Sequence, residues 1–358
     1  MLARIIDFRM RKNLAEECGE IEDSYNPRRE MRIETLTSIE QLQAIEKLWI
    51  DLWQRDVAAT PFQSPHWVLP WFRHFGSGDV LTLVARENER LEALAPLMIL
   101  RDDNDPTESL GMLIGTGNTD YLDMLVTPGA PVAQIVEQLG AADCAMWDLQ
   151  QLRSSSPLLA SPPPPNCDDD LEDHDACLVL SIDGAGDELQ NITSTHFRKK
   201  LRYYRRLLER EGTVRVETAV AANLDELMTA LFELHAARWK VSGLPGMLAA
   251  DVDQSFHREV ARCMLDAGAL RLYAARVNER IIAVFYGFAH NDTVYYYLSG
   301  YDPSLDKMSP GTIVVAHAVE QAVRSGAKTF DFLRGAEDYK YAWGAKDRVN
   351  KRRRFTRR

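Results

Sequence analysis

Between Leu270 and Asp302 the chain reads LRLYAARVNERIIAVFYGFAHNDTVYYYLSGYD. Three runs rich in β-branched and aromatic residues are separated by Asn278-Glu279 and Asn291-Asp292. Such turn pairs between strand-like runs specify an antiparallel meander. SPGTIVVAHAVEQAVRSG follows, a helix with Ser309 as N-cap, Pro310 at the first helical position and Gly326 as terminator. TFDFLRGAEDYKYAWG, Thr329 to Gly344, then alternates as a strand through Asp331. It ends in a charged turn (Arg334, Gly335, Glu337, Asp338), a Tyr-Lys-Tyr triplet and Trp343.

Upstream, a strongly basic helix spans about Thr195 to Glu211, stopped by Gly212 before a strand. Two more helices precede the meander, one with Leu224, Leu227, Leu231 and Leu234 on its apolar face and one over about Asp253 to Ala267. The second half therefore reads helix, strand, helix, helix, three antiparallel strands, helix, strand. The first half reads more faintly as helix (Ser38 to Asp56), two strands (Asp79 to Leu100), a strand near Tyr121 to Val126, a helix (about Ala130 to Leu139) and a strand, AMWDLQQL. The pattern makes the halves two copies of one unit, the first degenerate.

A length of 358 residues suits two domains of roughly 150 residues each. Ser154 to Asp175 contains four consecutive prolines and then six acids in eight residues, a composition that reads as a linker or exposed loop. It lacks the spacing of a calcium loop, and no metal site is expected. The expected division is a loose extension (1–30), a first domain (31–153), the loop (154–176), a second domain (177–345) and a basic tail (346–358). A net charge of -11 argues against DNA binding. Cys18, Cys144, Cys167, Cys177 and Cys263 show no C-x-x-C spacing, which fits free thiols in a reducing compartment. With no signal peptide or long apolar run in view, the expected location is the cytoplasm, at most peripheral to the inner face of the membrane.

A helix that begins directly after a strand aims its free N–H groups into the cleft there, a setting suited to a pyrophosphate. The candidate donors are the backbones of Lys307, Met308, Ser309, Gly311 and Thr312, with the Lys307 ammonium adding charge.

The region from about Leu270 onward resembles the acyl-CoA-binding half of a GNAT-type N-acyltransferase. More narrowly, F-D-F-L-R-G at Phe330 to Gly335, Tyr339-Lys340 and Trp343 resemble the CelD-like acetyltransferases of cellulose and exopolysaccharide biosynthesis. Those are distant relatives of the FemAB peptidoglycan aminoacyltransferases. GTGNTDYLDML (Gly115 to Leu125), FRKKLRYYRRLLEREG and HAARWKVSG are similar to elements of the same group. The resemblance implies an α/β fold of the mixed-sheet kind, as tandem GNAT-like domains with the first degenerate. It also implies acetyl-CoA or another acyl-CoA as co-substrate and a saccharide or envelope precursor as acceptor. One departure stands out: where GNAT enzymes carry Q/R-x-x-G-x-G/A, this chain reads K-M-S-P-G-T from Lys307 and keeps only Gly311. An aminoacyl-tRNA donor and a non-catalytic scaffold in a polysaccharide-synthesis assembly stay open as alternatives.

In that architecture the fifth strand splays from the fourth and leaves a gap for the thioester arm. Asp331 or Glu337 would be the base, and Arg334, Lys340 and Tyr339 would hold an anionic group or protonate the leaving sulfur. Asp120, Tyr121 and Asp123 would hold the acceptor across the cleft. His235, Arg238 and Trp239, at i, i+3 and i+4 of one helix, are a substrate site or a packed tryptophan with polar flanks. Seven cations between Arg198 and Arg210, interleaved with Tyr203 and Tyr204, suit an anionic partner: a CoA phosphate, a lipid headgroup or tRNA. The tail KRRRFTRR suits anionic lipid near a membrane-bound polymer synthase. There is no H-E-x-x-H, no P-loop and no G-x-S-x-G elbow, and Cys263 has no evident His partner.

Overall fold

The computed structural model describes residues 31–102, 105, 108–184, 192–241, 243 and 246–358; the expected extension 1–30, with Cys18, lies outside them. The first half runs β1 (Arg32–Leu36), α1 (Ile39–Ala44), α2 (Glu46–Arg55), α3 (Pro65–Phe75), β2 (Asp79–Val80), β3 (Thr82–Glu87), β4 (Arg90–Ala95), β5 (Leu97–Arg101), β6 (Ser109–Leu113), β7 (Leu125–Val126), α4 (Val132–Ala141) and β8 (Met146–Leu152). A short α5 (Pro157–Ala160) and a long β9 (Cys167–Ser181) lead into the second half. There follow α6 (Thr195–Glu211), β10 (Val214–Thr218), α7 (Leu224–Val241), α8 (Asp251–Asp266), β11 (Leu270–Val277), β12 (Arg280–His290), β13 (Thr293–Tyr301), α9 (Pro310–Arg324), β14 (Thr329–Arg334), α10 (Asp338–Ala342) and β15 (Lys346–Arg357).

The duplication expected from the sequence is visible in the pairing. In the second half β10, β11, β12 and β13 are antiparallel neighbours, and α9 crosses over to β14, which lies parallel to β13. In the first half β1, β3 and β4 pair the same way, β5 pairs with β6, and α4 crosses over to β8, parallel to β6. Pro96, between β4 and β5, has no N–H for a ladder, and there the chain leaves a four-stranded sheet for the large one. That large mixed sheet runs β10-β11-β12-β13-β14-β9-β15-β8-β6-β5-β2. The meander and the basic helix lie where the sequence places them. The single helix expected over Ser38 to Asp56 is broken at Ile45, and the strand expected near Tyr121 shrinks to Leu125–Val126.

The expected loop at 154–176 and the expected tail at 346–358 are corrected together. β9 and β15 are neighbouring antiparallel strands at the seam of the two halves, with Arg354 opposite Asp170 and Lys351 opposite Asp173. Ion pairs cross this ribbon: Arg353 to Asp169 at 2.8 Å, Arg354 to Asp170 at 2.5 Å, Arg358 to Asp168 at 2.7 Å. Opposite charges facing each other across a ladder stabilise it modestly, whereas either run alone would repel itself. Lys351, Arg352, Arg353, Arg354 and Arg358 of the tail are thus paired with acids of β9 and β8. Nor do the halves have separate interiors, since Trp67 of α3 meets Phe256 of α8 edge-on at 5.0 Å and Phe62 meets Phe288 at 6.2 Å.

Candidate active site

β13 and β14 pair over three residues only, Thr293–Tyr295 with Thr329–Asp331, and then part. Just beyond, the β12 register jumps from Leu298 to Tyr296, so Tyr297 is an extra residue on β13. Such a bulge bends a strand and re-aims its side chains. The splay implied by the resemblance is therefore present, with a bulge at its mouth.

Two cavities open at this gap. One, of about 310 Å³, runs between the start of α9 (Ser309, Gly311, Thr312) and α6, which contributes Phe197, Lys200 and Tyr204. Ser309 precedes α9 with a left-handed φ of 45°, and its hydroxyl turns back to the Asp306 carbonyl instead of capping the helix. The expected N-cap bond is not made, because that conformation points the hydroxyl away from the first turn. The first turn of α9 thus meets the cavity without a side-chain cap. Lys307 and Met308, expected beside it, sit in the preceding 3-10 turn and do not line the cavity.

The larger cavity, about 850 Å³, lies between the halves. Both volumes are within the range of small-molecule sites. It is lined by Gly117 and Asp120 from the first half, Asp175 from β9, His235 and Trp239 from α7, Arg334 at the end of β14, and Glu337 and Lys340 after it. Arg238, Tyr296, Ser299 and Tyr339 line both cavities. Of these four, sequence reasoning missed Tyr296 and Ser299.

Arg334 ties the halves together. It donates to the Asp120 carboxylate and, at 3.3 Å, to the Gly117 carbonyl, and pairs with Asp175 at 3.5 Å. Burial pushes the Asp120 carboxyl up against the pull of Arg334. Lys340 is almost wholly buried, and its ammonium donates to the carbonyls of Arg334 (2.5 Å) and Gly335 (3.1 Å) and pairs with Glu337 at 2.8 Å. All three of its donors are used, so it is a clamp on the turn after β14. Glu337 keeps about half of its side chain exposed.

Asp331 is fully buried and lines neither cavity. Its Oδ2 accepts from the Tyr121 hydroxyl at 2.8 Å and its Oδ1 from the Leu333 N–H at 2.9 Å, while Leu333 itself has a left-handed φ of 58°. Burial raises its pKa, against the guanidinium of Arg348. Asp123 also stands away from both cavities, accepting from Ser156 (2.9 Å) and the Met124 N–H (2.9 Å). Burial, opposed by Arg153, pushes it up to about 7. Of the three acceptor candidates in the first half, only Asp120 reaches the cavity.

His235 accepts at Nε2 from the Trp239 indole N–H at 2.9 Å, and burial with Arg238 nearby lowers its pKa to about 4. It is neutral near pH 7, with the proton on Nδ1. Arg238 lies over the rings of Tyr301 (5.3 Å) and Trp239 (6.0 Å). Among the described residues no cluster of His, Cys, Asp or Glu is arranged to hold a metal, and no helix is long and apolar enough to cross a membrane.

Residues 195–341 match the family model described as an acetyltransferase (GNAT) domain. No curated protein matches the sequence of the chain. Solved structures of similar fold include FemX (TM-score 0.63, 11% identity, covering 90% of this chain and 96% of that one). Others are a conserved protein of Bacteroides thetaiotaomicron (0.56, 10%, 91% and 99%) and L-PGS from Bacillus licheniformis (0.50, 12%, 82% and 92%). At such identities the likeness is one of fold. The gap between β13 and β14 thus lies inside the segment that matches the GNAT acetyltransferase family, while Gly117, Asp120 and Asp175 of the larger cavity lie outside it.

Proposed function

We propose that the protein transfers an acyl group from an acyl-CoA to an amine or hydroxyl of a saccharide or other envelope precursor. Transfer is direct, in a ternary complex. The observation that carries this reading is the meeting of two cavities at Arg238, Tyr296, Ser299 and Tyr339. The donor's phosphates lie against the uncapped start of α9 at Ser309, Gly311 and Thr312, with the Lys200 ammonium opposite. Its thioester arm enters the gap, and the acceptor comes from the larger cavity. The acceptor's nitrogen or oxygen attacks the thioester carbonyl, the new C–N or C–O bond forms and the C–S bond breaks. The acceptor's proton passes to Glu337, the carboxylate of the strand-end cluster that faces the cavity and is partly exposed. Burial, with Tyr296 and Glu337 alongside, raises the pKa of Tyr339, which is therefore protonated and placed to give its proton to the departing thiolate. The sugar acceptor rests on the motif likeness to the CelD-like group.

A second reading, transfer from an aminoacyl-tRNA, is favoured by the wall of the donor cavity itself. Lys200 and Tyr204 there belong to the basic helix α6. Calorimetric titration with acetyl-CoA and longer acyl-CoAs, on the wild type and Gly311→Val, tests the first. Saturable heat that disappears in the variant supports it. No heat with any acyl-CoA, together with salt-sensitive retention of aminoacyl-tRNA, gives the donor site to the second.

A further inference from the structure

The chain has two strongly basic runs, and the structure treats them oppositely. On β15, Lys351, Arg352, Arg353 and Arg354 each pair with an acid of β8 or β9. On α6, Lys199, Arg202, Arg206 and Arg210 have no ion-pair partner among the described residues. One run neutralises its own protein; the other leaves its charge for something else.

α6 also walls a second groove, of about 340 Å³, on the side turned away from the donor cavity. Leu201, Arg202 and Arg205 face it, with Arg205 one helical turn beyond the adjacent Leu201 and Arg202, while Lys200 and Tyr204 face the donor cavity. Arg215 of β10 stands on the opposite wall, between half-buried Val214 and Val216. Ile313 and Ala316 of α9 give the groove an apolar floor, and His317 and Glu320 of the same helix also line it. Arg205 and Arg215 make only exposed pairs, with Glu209 and Glu279. On the outer side of the helix Tyr203 is 52% exposed, one turn from Lys199 and from Arg206.

We propose that this flank of α6 docks on a membrane containing anionic phospholipid. Arg202, Arg205 and Arg215 take the phosphodiester of one headgroup, and the apolar floor takes the first carbons of its chain. A nucleic-acid backbone would satisfy the arginines but leave Ile313 and Ala316 of the floor without an apolar partner. A lipid satisfies both at once. The exposed Tyr203 fits the same surface, since a phenol with an apolar ring and a polar tip prefers the headgroup layer, and the unpaired cations around it gain from a negative leaflet. The inference is independent of which donor the active site uses.

The test is co-sedimentation of the full chain with vesicles of mixed phosphatidylglycerol and phosphatidylcholine, against vesicles of phosphatidylcholine alone. The wild type binds the anionic vesicles, and Arg202→Ala/Arg215→Ala binds them roughly twentyfold more weakly, with the acyl-CoA titration unchanged. Lys199→Ala/Arg206→Ala, whose side chains are on the outer face, weakens binding by a similar factor and guards against a folding effect of the first pair. Arg354→Ala, in the neutralised ribbon, leaves vesicle binding unchanged. No preference for the anionic vesicles overturns the proposal, as does binding unaffected by either double variant. It is also overturned if these substitutions weaken retention of tRNA and not of vesicles.

Discussion

The two halves set the same elements in the same order, yet only one keeps the space between its parallel strands. In the second half β13 and β14 part after three pairs and the opening leads into both cavities. In the first half β6 and β8 pair only at Leu110–Met146 and Gly111–Trp147, and what lies beyond is filled. The Leu122 N–H donates to the Gln151 carbonyl at 3.2 Å, so the GTGNTDYLD segment runs beside β8, where the second half has its open gap. Leu122, Met124 and Trp147 share an apolar cluster with Ile135 and Leu139 of α4, and the Trp147 indole N–H is used on the Leu139 carbonyl. The filling segment then continues its work outward. Its Gly117 and Asp120 reach the other half's cavity, and its Tyr121 reaches Asp331. A duplicated fold needs one emptied gap; the second copy holds the wall of the first.

The most severe way to break the contrast is to make the working copy resemble the filled one. Pro131-Val132 stands at the start of α4 as Pro310-Gly311 stands at the start of α9. Gly311→Val should abolish acyl-CoA binding by calorimetry, because even a Cβ there meets the Tyr301 ring at 3.1 Å and the branches would project into the proposed donor site. Next in size is the turn after β14. Lys340→Met leaves two carbonyls and the Glu337 carboxylate without their buried cation, which should cost about 3 kcal/mol in a denaturant melt. Turnover should fall while donor affinity holds, since the residues it clamps face the larger cavity. The corresponding turn in the first half, at Gln151 (φ 55°), is held differently, by the Asn350 amide donating to the Gln151 side-chain oxygen at 2.8 Å.

The converse substitution disturbs the filled copy. A Cβ on Gly111 would lie 2.2 Å from the Trp147 ring, so Gly111→Ala overpacks a core with no slack. The expected loss is about 2 kcal/mol in a thermal or urea melt, with acyl-CoA affinity of the folded protein unchanged. A loss of affinity instead would mean that the first half does more than hold a wall.

How much of this was legible in the sequence depended on distance along the chain. The meander, α6, and α9 with its Pro310 start and Gly326 stop are local signals, and they emerged with their boundaries nearly intact. The β9–β15 ribbon was not legible, because each strand is a one-signed charge run that becomes a strand only beside its partner. The strand-end cluster was legible as a cluster but not in its roles. Alternation in β14 shows Asp331 facing away from Phe330 and Phe332, and only the fold shows that this second face is covered as well, by Tyr121 of the first half. Tyr296 and Ser299 were hidden in a run of aromatics whose facing is reset by the bulge at Tyr297. No local signal marks that shift.

The finest test of the comparison uses two aspartates at the same place in the two copies, Asp148 after Trp147 in β8 and Asp331 after Phe330 in β14. Burial disfavours ionisation of both, but Asp148 accepts from Arg352 at 2.6 and 2.8 Å and from Gln150 at 2.6 Å, and its pKa ends below the usual carboxylate range. Asp331 pairs with Arg348 at 3.6 Å, with Arg153 as a weaker second cation, and its pKa ends above that range. Their signs in the pH dependence of stability are therefore opposite. The Asp148 contribution is present above the unfolded pKa of about 4 and is lost as pH falls through its lower folded value. The Asp331 contribution is present below about 4 and is lost as pH rises toward its higher folded value. Asp148→Asn should cost roughly 1–2 kcal/mol at neutral pH, a deficit that closes as the solution is acidified. Asp331→Asn keeps an oxygen for the Leu333 N–H and removes a buried charge, so it should melt at or above wild type near neutrality and lose that advantage in acid. Relative to wild type, the melts of the two variants should shift in opposite directions as the solution is acidified. Parallel curves would mean that both strands end in the same electrostatic setting, and that the halves differ in their gaps alone.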